Sequence, residues 1–347
     1  MKRRKVLKQL GSGLLTTPLI GGLPGAISAC SSPNNKKSQP AEKVIESPWD
    51  FDISLAQWSL HNTFFGQATM EKGWGYFREV LLSDPDQLLQ GEKDPVLFPA
   101  MAKNDFGISA IELVNTFYFS KGSDEQFWLD FRKTCDSEGV QSLLIMCDAE
   151  GNLGDLDSEA RKTAIENHYK WINAAKIMGC HAIRVNAAGN GTAEEVKAAA
   201  IDGLGQLSEY AEKENINIIV ENHGSYSSDG MWLADIMKQI NRPNCGTLPD
   251  FGNFCIEKDG EVCLNEYDRY KGMAELMPYA KGVSAKSHDF DEMGQETNTD
   301  FGKMLQIVKD AGFKGVIGVE YEGKSLSEPE GIMKTKDLLL SSKASLA

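Results

Sequence analysis

Eight short apolar runs recur along the chain, at 53–58, 109–114, 141–147, 182–186, 217–221, 246–250, 282–287 and 315–320. Each is apolar on both sides, as a strand covered on both faces of a parallel sheet must be. Between them lie amphipathic stretches, and helices are predicted over 158–178, 193–214, 232–240, 301–311 and 328–340. In the first of these, Ile165, Tyr169, Ile172 and Ala175 recur at helical spacing. Gly107, Gly139, Gly179 and Gly312 are the expected helix stops. Eight β units, each followed by a helical unit, predict an α/β fold of one domain, a (β/α)8 TIM barrel over residues 49–347. A doubly wound open sheet would carry a glycine-rich phosphate loop after its first strand, and SLAQWSLHN is not one. The Gly- and aromatic-rich stretch 61–93 is predicted to be an insertion over the barrel mouth, either a lid or a structural flap.

The first thirty residues read as a targeting segment. Arg3-Arg4-Lys5 opens a twin-arginine export box, an apolar stretch follows, and Ile27-Ser28-Ala29-Cys30 is a lipoprotein cleavage box. Residues 1–29 are therefore expected to be a signal peptide and Cys30 the lipidated residue. Residues 30–48, rich in Ser, Pro, Asn and Lys, are expected to form a flexible tether. The expected location is the periplasm or an outer-membrane anchor, with membrane contact only through the lipid.

Cleavage after residue 29 removes five basic residues and no acidic one, taking the net charge from −14 to −19. Such a surface argues against nucleic acid or an anionic membrane as partner. It suits a neutral or cationic substrate, or a metal ion. Besides Cys30 there are six cysteines, none with CxxC spacing. Export in the folded state predicts free, mostly buried thiols, with a Cys255–Cys263 pair as the alternative.

Acidic and imidazole side chains end the last four predicted strands: Glu221 in IVENHG, Asp250 in PDFGN, His288 in KSHDF and Glu320 in VEYEG. In a barrel these positions converge at the mouth where catalytic groups sit. Two Glu, one Asp and one His form a donor set for one divalent ion: Mn, Mg, Co or Zn. Ser284, Lys286 and His288 share one face of their strand, so either Lys286 or His288 can point inward. An inward Lys286 would leave three protein ligands or put an ammonium in place of the ion.

On these motifs, from about residue 52 to 340, the chain resembles the xylose isomerase-like TIM-barrel superfamily, most of all its sugar epimerase and isomerase branch. The resemblance implies a metal held by Glu221, Asp250, His288 and Glu320, with the two Glu as the acid/base pair of a metal-dependent sugar isomerase or epimerase. Enolising a sugar removes a proton beside a carbonyl, and a metal stabilises the resulting enediolate. Glu221 and Glu320, on strands five and eight, are expected to flank the bound sugar. Candidate substrate contacts are Trp58, His61, Glu112, Arg184, Asn186, His223, Asn253 and Lys286. Arg184 can bind substrate or pair with Glu112; Glu322 is a loop acid or a support for the ligands. Asn253 and Ser227 stand where some ketose epimerases carry His and Glu, which leaves the 3-epimerase assignment open.

Two further functions remain. The same site could act as a 3-keto-glycoside lyase or hydratase, or the protein could be a non-catalytic carbohydrate-binding lipoprotein. A multi-zinc phosphodiesterase would need more histidines than the five present.

Overall fold

The computed structural model describes residues 49–68, 72–260 and 262–346, so the expected signal peptide, the expected tether and the expected lipidation site Cys30 lie outside the described residues. The elements follow in the order β1 (Asp52–Ala56), α1 (His61–Phe65), α2 (Gly73–Ser83), α3 (Phe98–Phe106), β2 (Ala110–Val114), α4 (Glu125–Glu138), β3 (Gln141–Met146), α5 (Ser158–Met178), β4 (Ala182–Val185) and α6 (Ala193–Lys213). Then come β5 (Asn217–Glu221), α7 (Gly230–Ile240), β6 (Cys245–Leu248), the hairpin β7 (Cys255–Asp259) and β8 (Val262–Glu266), α8 (Arg269–Leu276), β9 (Val283–Ser287), α9 (Phe301–Asp310), β10 (Val316–Tyr321) and α10 (Glu328–Ser345).

Eight strands form one parallel sheet in the order β6-β5-β4-β3-β2-β1-β10-β9. Its two ends meet: Thr247 pairs with Ala280 and Asp250 with Ser284, both parallel. Backbone bonds from Ser284 N to Pro249 O and from Phe251 N to Ser284 O complete the seam. The sheet is thus a closed barrel with its helices outside, the TIM-barrel architecture. Leu55, Ile111, Ile145, Ile183, Ile218, Val283 and Ile317 are fully buried, which explains why the strands read as unbroken apolar runs.

Local chemistry sets the helix ends. Asp157 caps α5 by accepting from the amides of Glu159 and Ala160. Thr192 with Glu195, and Ser327 with Glu330, make capping boxes at α6 and α10. Each such cap is worth about 1 kcal/mol. At the other end of α5, Gly179 takes φ +75°, a left-handed conformation in which a Cβ would meet the Arg132 guanidinium at 2.2 Å.

Two features depart from expectation. A hairpin, β7–β8, stands between β6 and α8 where a continuous β-to-α connection was expected. It carries the Cys255–Cys263 disulfide, so the all-free-thiol expectation fails there; Cys135, Cys147, Cys180 and Cys245 are free and buried. The two cysteines sit on the paired strands of the hairpin with their Cα atoms 5.8 Å apart, within disulfide reach, so the alternative pairing is the one the structure adopts.

Candidate active site

The C-terminal ends of the barrel strands open into a cavity of about 510 Å³. Its floor and one wall are polar: Asp148 after β3, Arg184 and Asn186 at β4, His223 after β5, Asn253 after β6, Lys286 on β9, Glu320 on β10 and Glu322 just after it. The other wall is apolar, built by Trp58 beyond β1 and by Trp74, Phe77 and Leu81 of α2. The insertion predicted at 61–93 therefore lines the mouth through α2.

Beneath the cavity lies an acidic triad. Glu221, Asp250 and Glu320 are buried, and each offers an oxygen within 4.8 Å of the others. Their partners are specific. Asn253 Nδ2 donates to Glu221 Oε1 at 2.9 Å. Asp250 Oδ1 accepts from the amides of Gly252 and Asn253, both at 2.8 Å. Ser284 Oγ lies 2.6 Å from Asp250 Oδ2 and 2.9 Å from Glu320 Oε2. A hydroxyl has one proton to donate, so its second carboxylate contact needs a proton on the acid or a cation nearby.

Two buried cations brace these acids. Lys286 Nζ sits 3.3 Å from Glu320 Oε1 and 2.9 Å from Glu322 Oε1. Arg184 Nη1 donates to Asp148 Oδ1 at 2.7 Å, while its Nε lies 2.9 Å from Glu221 Oε2. That second approach is a charge contact, because the N–H points past the oxygen and Nε has no hydrogen-bond acceptor. Asn186 Nδ2 also donates to Asp148 Oδ1.

The titration directions follow. Burial raises the Glu320 carboxyl well above its ordinary range, despite Lys286 beside it. Burial also raises Asp250, again opposed by Lys286. Burial pushes Glu112 up to about 7, partly offset by its bond from Ser54. Asp148 goes the other way: burial would raise it, but Arg184 and His223 hold it well below the usual carboxylate range. Glu322, likewise buried but bonded to Lys286, falls to about 2. The Lys286 ammonium, which burial alone would weaken, is held well above its usual range by Glu320 and Glu322.

The donor set fits a divalent cation. Six carboxylates (Glu112, Asp148, Glu221, Asp250, Glu320 and Glu322) crowd this end of the barrel against the fixed charges of Arg184 and Lys286. Buried anions need compensation, and three converging carboxylate oxygens are a hard-ion donor set. The buried acidic triad could hold a metal ion.

Several expected positions move. His288 is not in the triad: β9 ends at Ser287, so the His288 side chain lies past the strand and beside Glu322. The group that reaches Asp250 and Glu320 is Ser284, and Lys286 is the inward-facing cation. Glu221 does not flank the cavity opposite Glu320; it lies beneath the floor, close to it. Arg184 pairs with Asp148 and Glu221 rather than with Glu112. Glu112 lies deeper, bonded to Ser54, under Gly318, where a Cβ would come within 2.7 Å of its carboxylate. His61 stacks on Trp58 at 5.1 Å with Nδ1 on the Trp58 carbonyl, and it does not line the cavity. Trp58, Asn186, His223, Asn253 and Lys286 do line it. The reading of strand ends missed Asp148, which closes the third strand in MCDAEG and was discoverable by the rule applied to the last four. It placed Ser284 on the inward face without assigning it the contacts to Asp250 and Glu320, and placed 61–93 over the mouth without naming Trp74, Phe77 and Leu81 as wall residues.

The family model described as xylose isomerase-like TIM barrel matches residues 101–341. No curated protein matches the chain in sequence. Among solved structures, a xylose isomerase-like TIM barrel protein from Mycobacterium smegmatis in complex with magnesium superposes with TM-score 0.57 at 14% identity, covering 86% of this chain and 98% of that one. A D-tagatose 3-epimerase-like protein gives 0.57 at 17%, over 85% and 98%. The 3-keto-D-glucoside 4-epimerase of E. coli gives 0.54 at 13%, over 85% and 100%. At these identities the likeness is one of fold; the family match covers most of the chain, and the chain belongs to the xylose isomerase-like TIM barrel family.

Proposed function

We propose that the protein is an enzyme that enolises a carbohydrate, a metal-dependent sugar isomerase or epimerase. The observation that carries this reading is Glu320: a buried carboxylate joined to the acidic triad that also opens onto the cavity. Family membership and the sugar epimerases among its structural neighbours agree with it. In this reading Glu320 takes the proton from the carbon beside the substrate carbonyl and returns it. Lys286 keeps Glu320 oriented from one side and Ser284 from the other. Asp148, held ionised by Arg184, accepts hydrogen bonds from sugar hydroxyls, and His223 and Asn253 complete the polar rim. Glu221, Asp250 and Glu320 would hold the divalent ion, which supplies Lewis-acid stabilisation of the enediolate when bound. His288 takes no ligand role in this scheme.

One observation favours a second reading, a 3-keto-glycoside lyase or hydratase. Of the two Glu, only Glu320 faces the cavity. Epimerisation returns the proton to the opposite face and needs a second group there. Elimination needs a single group: the C–H proton goes to the Glu320 carboxylate, the C–O bond to the leaving group breaks as the C=C forms, and the leaving oxygen takes that proton back from the Glu320 carboxyl.

Glu320→Gln tests the proposal. An enzyme should lose turnover by at least about a hundredfold, the ordinary contribution of a positioned base, while sugar affinity persists. Unchanged turnover of a sugar substrate would reject the assignment, and the absence of any turnover in the wild type across free and 3-keto sugars would leave a carbohydrate-binding protein. Product analysis separates an epimer from a released aglycone. We also propose export and lipid anchoring through Cys30; a Cys30→Ser protein that stays in the membrane fraction would refute the anchor.

A further inference from the structure

We propose that the substrate is a glycoside with an apolar, flat aglycone rather than a free monosaccharide. The inference rests on the carbohydrate reading and specifies its substrate class. The cavity is divided in two. Groups that bind hydroxyls and carry the chemistry occupy the side formed by β3–β6, β9 and β10. A sugar ring seated over Glu320, between Asp148 and Asn253, satisfies that side alone.

The opposite side is predominantly apolar, with the exposed guanidinium of Arg78 among its few polar groups. It is made by Trp58, Trp74, Phe77 and Leu81. At about 510 Å³ the whole cavity falls in the range, roughly 300–1,000 Å³, that encloses ligands of drug size. Trp74 is the informative residue. It is 60% exposed on an inserted helix, and its ring stacks against Trp58 at 5.9 Å and 28°. Trp58 in turn is backed by His61 at 5.1 Å and Phe117 at 6.1 Å, which fixes its plane. An exposed indole held beside a second, fixed indole at a cavity mouth is a surface for a flat apolar group. Because this wall is continuous with the polar floor, a single ligand, a sugar joined to a flat apolar group, can occupy both at once.

The test is direct binding, by calorimetry, of methyl and phenyl β-D-glucopyranosides and their 3-keto forms to the full protein, to Trp74→Ala and to Trp74→Phe. Phenyl glycosides should bind about tenfold tighter than methyl glycosides, the scale of one good aromatic contact. That ratio should fall toward one in Trp74→Ala, recover in Trp74→Phe, and leave methyl glycoside affinity unchanged throughout. Equal affinity for phenyl and methyl glycosides, or a ratio that survives Trp74→Ala, overturns the inference. Phenol alone binding as tightly as the phenyl glycoside also overturns it. If no sugar or glycoside binds while the protein is folded, the carbohydrate reading itself has failed, a different outcome from loss of the ratio.

Discussion

Arg184 offers the sharpest physical test of the site, and it needs no substrate. The side chain is 4% exposed and spans two acids, Asp148 at 2.7 Å and Glu221 at 2.9 Å. Replacing it by Met keeps most of the volume and removes the charge. Asp148 retains 28% side-chain exposure and Asn186, so water and an amide offset much of its loss. Glu221 has 2% exposure and keeps only Asn253 as donor. The cost therefore falls mainly on Glu221, and stranding one buried member of an ion pair costs about 3–5 kcal/mol. For a domain of this size, at roughly 2 °C per kcal/mol, that is a fall in Tm of about 6–10 °C. Arg184→Lys should recover only part, since a single ammonium replaces a fork spanning two acids. The decisive measurement is a double-mutant cycle by urea denaturation with Glu221→Gln. Removing the stranded charge should restore stability, giving a coupling of about 1.5 kcal/mol or more. An Arg184→Met protein that loses less than about 1 kcal/mol, or loses equally in both backgrounds, would refute this account of how Glu221 is held.

Other outcomes follow from the same structure. His168 is buried in α5 with Nδ1–H donating to the Ala164 carbonyl at 2.7 Å, and burial lowers its pKa from 6.5 to about 4. The unfolded chain binds that proton near pH 6.5 and the folded one only near 4, so this contribution is complete above 6.5. It falls by about 3 kcal/mol as pH drops to 4; His168→Gln should flatten that part of the stability–pH curve, and an unchanged curve would count against it. Mn²⁺ at a hundred times its Kd should stabilise the protein by about 2.7 kcal/mol, an effect that Asp250→Asn should abolish in thermal melts. Reducing Cys255–Cys263, eight residues apart, should cost about 2.5 kcal/mol of hairpin order. The loss should be seen as faster amide exchange confined to β7–β8; uniform exchange across the barrel would contradict it.

The barrel was legible because strand and helix signals are local. All eight predicted runs coincide with barrel strands to within two residues at either end, and α5 runs over the predicted 158–178. The exposed hairpin lacked the apolar density that marks barrel strands, and β8 is exposed throughout. The short interval from Cys255 to Cys263 carried the disulfide only as an alternative.

From the residues alone came the closed α/β architecture, the family resemblance and three carboxylates at strand ends, because each depends on periodicity and spacing within a few turns of chain. Only the tertiary structure decided which of Ser284, Lys286 and His288 meets the carboxylates. A strand advances about 3.3 Å per residue, so the end of β9 at Ser287 carries His288 past the triad, while the seam with β6 lowers Ser284 onto Asp250. Depth also places Glu221 below the floor and Glu320 at it, and draws Arg184 to Asp148 and Glu221. Depth, register and closure are properties of the whole barrel, and no single strand contains them.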